Sequence, residues 1–60
     1  MSNNDLAKAF ALEGKASFDA YDYESALKNF ETALSLIEPG DTQFREFVLE
    51  AIERMKQMRE

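Results

Sequence analysis

Apolar side chains recur along this chain at intervals of three and four residues, and no stretch alternates in the way a strand would. Projected at about 100° per residue, Ala26, Leu27, Phe30, Ala33, Leu34 and Ile37 fall on one arc, with Tyr23 at its start. A later segment gathers Phe44, Phe47, Val48, Ala51, Ile52, Met55 and Met58 on an arc wide enough to serve two neighbours. The first segment is less tidy: Leu6, Phe10, Gly14 and Phe18 lie near one side, with Ala9, Ala16 and Ala20 beside them, small enough to let another helix come close.

Punctuation divides these arcs into three helices. Asn4 or Asp5 is expected to cap the first and Asp22 the second, through side-chain oxygens that accept from the free N–H groups of an opening turn. In Glu38-Pro39-Gly40-Asp41, Pro39 cannot continue the helical ladder, Gly40 tolerates a left-handed φ, and Asp41 can cap the third helix. The pattern predicts helices at about residues 5–20, 22–38 and 41–59, in one unit covering residues 1–60. The expected fold is an all-α three-helix array, an antiparallel helical hairpin plus a third packing helix.

Composition narrows the chemistry. Sixty residues bury only about 60% of the surface exposed by the unfolded chain, and the usual supports of a small fold, disulfides and structural metals, find no Cys and no His here. Association with another chain is the support that is left, so a homo-oligomer is expected. The same absences remove thiol nucleophiles, imidazole bases and the common metal ligands, and neither an enzyme nor a cofactor is expected. Asp19, Asp22 and Glu24 lack the glycine turn and oxygen-rich loop of a calcium site. With 12 acidic against 7 basic residues the net charge is −5, a field that repels phosphate backbones, so nucleic acid is not the expected partner. No apolar run spans a bilayer, and Glu46, Glu50 and Glu53 offset the basic residues that would draw the last helix to an anionic surface. A cytoplasmic setting fits better than a secreted disulfide scaffold.

The run from Gly14 to Leu27, with Phe18, Asp22-Tyr23 and Ala26, then Phe30, Ala33, Leu34 and Pro39, resembles one tetratricopeptide repeat, a unit of about 34 residues built as a helical hairpin. The resemblance covers roughly residues 7–40, and the last helix is similar to the helix that caps such repeats. Tyr21 departs from it by standing where the turn usually has Gly. Family ligands lie in a groove lined by first helices, so the resemblance implies a protein- or peptide-binding face at Lys8, Ala11, Lys15, Phe18 and Asp19, suited to an acidic peptide. It lacks the paired Lys and Asn of a terminal-carboxylate clamp, having Ala11 and Lys15 instead. Leu12, Leu36 and Leu49 sit off the main stripes, one per helix, and would form a second contact patch if they converged. The chain also resembles the three-helix domains of microtubule-interacting and trafficking proteins, through Tyr23, Ala26, Leu27 and Phe30 and through Glu53-Arg54-Met55-Lys56. A chain whose only task is folding or assembly is the remaining alternative.

Overall fold

Each helix begins where a short polar side chain can take up the orphan donors of its first turn. In the computed structural model, which describes residues 2–59 with Arg59 seen by its backbone alone, α1 (Asn3–Asp19) is capped by Ser2, whose hydroxyl accepts from the Asp5 N–H at 3.2 Å. Asn4 and Asp5, the expected caps, lie inside that first turn. The cap of α2 (Tyr23–Leu36) is Asp22, as expected, accepting from the Ser25 N–H at 3.3 Å. Asp41 caps α3 (Thr42–Arg59) by accepting from the Phe44 N–H at 3.3 Å. These three helices make an all-α array, with no strand among the described residues.

The first corner turns at Tyr21, the position where the resemblance expects glycine, and the second differs from expectation in which residue bends the chain. Helix α1 closes through paired bonds, Tyr21 N–H to the Phe18 carbonyl and Asp22 N–H to the Ser17 carbonyl, around a left-handed residue. That residue is Tyr21, at φ 65°. In the second corner the chain leaves the helix at Ile37, two residues ahead of Pro39, and a turn closes with Asp41 N–H on the Glu38 carbonyl at 3.0 Å. No glycine has a positive φ, so Gly40 does not use the freedom the sequence offered it.

The hairpin is held by a line of small residues. Ala7, Ala11 and Gly14 of α1 are buried against Ala26, Phe30 and Ala33 of α2. A Cβ on residue 14 would stand 2.9 Å from two carbons of the Phe30 ring, a separation real Cβ atoms do not tolerate, so the aromatic ring rests directly on bare backbone. Because this line carries the contact, longer side chains of α1 are pushed to its flanks: Phe10 and Phe18 are half-buried, while Leu6, Ala9, Ala16 and Ala20 are exposed. The expected cluster of Ala9, Ala16 and Ala20 is therefore not the seam.

Helix α3 contributes Val48, Ile52 and Met55 to the core, and Ile37 completes it from the second corner. Its arc serves one neighbour, because α2 packs against both other helices while α1 and α3 meet only marginally. Phe47 is consequently 58% exposed and Met58 50%. A single polar clasp ties α1 to the far corner. The Asn4 side-chain amide donates to Asp41 Oδ2 at 2.9 Å, and its carbonyl accepts from the Glu38 N–H at 3.3 Å.

The two glycines should respond oppositely to a methyl group. Overpacking against Phe30 costs about 1–3 kcal/mol, more than the roughly 0.5–1 kcal/mol of helix propensity that Gly14→Ala gains. A Cβ at Gly40 meets nothing within 4 Å, so Gly40→Ala should add about 0.4–1 kcal/mol by restricting the unfolded chain. Urea unfolding followed by circular dichroism reads both, and a stabilised Gly14→Ala protein would refute the ring-on-backbone contact. At about 1 kcal/mol for each tertiary hydrogen bond, Asn4→Ala should cost about 1–2 kcal/mol in the same assay.

Candidate functional site

The marginal meeting of α1 and α3 leaves a groove between them, to which α2 contributes Phe30 at one end. Near the first corner it forms a depression of about 180 Å3 walled by Phe18, Phe30, Ala51 and Met55. Toward the Asn4 clasp a second depression of about 270 Å3 is walled by Ala11, Leu12 and Phe44. Lys15 and Phe47 border both, so the two are continuous, with the exposed Phe47 ring as a ridge between them. Helical spacing explains the wall on α1: Lys8, Leu12 and Lys15 recur at three and four residues beside the buried line, whose Ala11 reaches the groove between them. On α3 the wall is Phe44, Phe47, Ala51 and Arg54, along one margin of its apolar arc.

Charge is distributed unevenly over this surface. The charged residues lining the groove are Lys8 and Arg54 at its ends and Lys15 at its middle, with no acidic residue among them. The whole chain carries 12 acidic residues against 7 basic ones. An apolar surface lined by cations is complementary in charge to a segment that is apolar on one side and anionic on its edges.

No family model, no curated protein and no solved structure matches this chain significantly.

Of the residues expected to form a binding face, Lys8, Ala11, Leu12, Lys15 and Phe18 come together in the groove. Asp19 does not line it; it is exposed at the end of α1, beside the first corner. Leu49 lies in a shallow depression with Glu50, Glu53 and Gln57. Leu36 packs against the core. The three off-stripe leucines thus share no depression, because each leaves its helix in a different direction. Sequence reasoning missed Phe44, Phe47 and Arg54 as groove residues. Phe44 and Phe47 stood on the margin of a wide arc that was assigned to burial, and Arg54, seven residues beyond Phe47 and so on the same side of the helix, was the signal for the rim.

The first corner is the second feature of this surface. Tyr21 is 81% exposed, and its ring meets Tyr23 edge-on with centroids 6.4 Å apart. Tyr23 in turn tilts against Phe18 at 5.3 Å, so the exposed aromatic corner connects to the wall of the groove. Among the described residues no group of three or more acidic side chains is placed to hold a metal ion, and no helix is long and apolar enough to cross a membrane.

A left-handed conformation costs a side chain with a Cβ about 1–2 kcal/mol, and Tyr21 bears that cost. Tyr21→Gly and Tyr21→Ala both remove the ring, but only the former relieves the backbone. The glycine variant should therefore be the more stable of the two by about 1 kcal/mol, measured by thermal or urea unfolding at a concentration where both are monomeric.

Proposed function

We propose that this chain is a non-catalytic protein-interaction module, a single tetratricopeptide-like hairpin with a packing helix, that works as a cytoplasmic adaptor. Its groove takes a peptide or protein segment that is apolar along one side and acidic along its edges. The observation carrying this reading is the exclusively cationic rim, Lys8, Lys15 and Arg54, around an apolar floor in a protein of net charge −5. The ring of Phe30 on Gly14 and the short hairpin corner support the repeat-like reading of the scaffold. Self-association is part of the proposal. Among the described residues the core holds nine side chains, four of them alanine, and its largest fully buried ones are Met55 and Val48. A core so thin leaves folding in need of further apolar burial.

The probe is a short fluorescein-labelled amphipathic peptide of Leu and Glu, with a Leu and Lys twin as control, titrated by fluorescence anisotropy. The acidic peptide should bind, more weakly as salt rises, and the basic twin should not. Reversing Lys8 and Lys15 together to Glu should weaken binding about tenfold or more, equivalent to about 1.4 kcal/mol. Equal binding of both peptides, or of wild type and variant, would leave only a structural role for the chain.

A further inference from the structure

Tyr21 occupies a left-handed position that glycine would fill without strain, yet its ring is 81% exposed and touches its own chain chiefly at Tyr23. Within the monomer this arrangement gains little. Exposed Asp19 and Asp22 flank it, so the corner presents an aromatic ring between carboxylates. The groove has the complementary character, apolar with Lys15 and Arg54 at its near end. Phe18 belongs to both features, tilting on Tyr23 and walling the first depression, so corner and groove lie side by side at one end of the molecule.

Resting on the groove reading above, we infer that the groove's occupant in the protein alone is the α1–α2 corner of a second copy. Tyr21 of each copy enters the first depression of the other beside Phe47 and Met55, and Asp19 and Asp22 face Lys15 and Arg54. Adjacency of the two features lets a two-fold axis make the exchange reciprocal, which closes the assembly as a dimer. The other symmetric pairings are opposed by charge: groove on groove sets Lys8, Lys15 and Arg54 against like residues, and corner on corner does the same with carboxylates. An acidic partner and the second copy then compete for one site, so the dimer is the groove's closed state and partner binding releases a monomer.

Sedimentation equilibrium of the full chain over a range of concentrations, at low and high salt, tests this. The expected result is a dimer whose dissociation constant rises with salt and rises about tenfold or more in Tyr21→Ala and in Lys15→Glu. A charge swap guards against a corner that merely misfolds: adding Asp19→Lys to Lys15→Glu should restore the dimer, because the contact between positions 19 and 15 of the two copies is then attractive again with its signs exchanged. The Leu and Glu peptide should convert dimer to monomer. A chain that stays monomeric throughout, a dimer indifferent to both single variants, a swap that fails to rescue, or a peptide that binds without dissociating the dimer each overturns the inference. Peptide binding that survives such an outcome leaves the groove reading standing, whereas loss of peptide binding strikes the groove itself.

Discussion

Contact between the Phe30 ring and the bare backbone at Gly14 sets the geometry on which the other features depend. It brings α1 and α2 close enough for Ala7, Ala11, Ala26 and Ala33 to be buried without larger side chains. It also leaves the opposite flank of α2 for Val48, Ile52 and Met55. Phe30 is 4% exposed, but it also walls the first depression. One side chain therefore fixes the hairpin and forms part of the groove floor, so core packing and the candidate site cannot vary independently.

Two polar features frame that groove. At one end the Asn4 amide bridges Glu38 and Asp41, joining the start of α1 to the corner between α2 and α3. Asp41 uses its other carboxylate oxygen to cap α3, so the residue that starts the third helix also anchors the first. Phe44 and Lys8, one turn along their helices from Asp41 and Asn4, are thereby placed on facing walls. At the other end the α1–α2 corner fixes Phe18 through its own backbone bonds and the Tyr23 ring. The groove is open along its length because the helices that wall it meet only marginally and are joined through the Asn4 clasp at one end.

Local signals were legible in the sequence where local physics decides the outcome. The apolar period of α2, the caps at Asp22 and Asp41 and the break before Pro39 all follow from neighbours a few residues apart, as does the run Lys8, Ala11, Leu12, Lys15. Reading failed where tertiary choice overrides pattern. On α1 the aromatic and leucine positions looked like the buried stripe, but a seam of Ala7, Ala11 and Gly14 permits closer approach, and packing selected it over side-chain size. Phe47 and Met58 match a core arc by period yet lie exposed, because α1 does not cover α3. The Asn4 clasp joins residues 37 apart in the chain, a distance at which periodicity carries no information.

Stability and binding are coupled in a chain of this build. A domain of about 60 residues buries only about 60% of its unfolded surface, and this one holds several large apolar side chains, Leu12 and Phe47 among them, at the groove rather than in the core. Closing α3 onto α1 would bury them and thicken the core, at the loss of the groove's apolar surface. Lys15 of α1 and Arg54 of α3 line the same depression, so closing the two helices would bring like charges together. An occupant of the proposed site would supply further burial and stabilise the fold by mass action, about 2.7 kcal/mol when present at a hundred times its dissociation constant. That gain would be a sizeable fraction of the 5–15 kcal/mol by which ordinary domains are stable at all, so on the proposed reading occupancy of the site and persistence of the fold are linked.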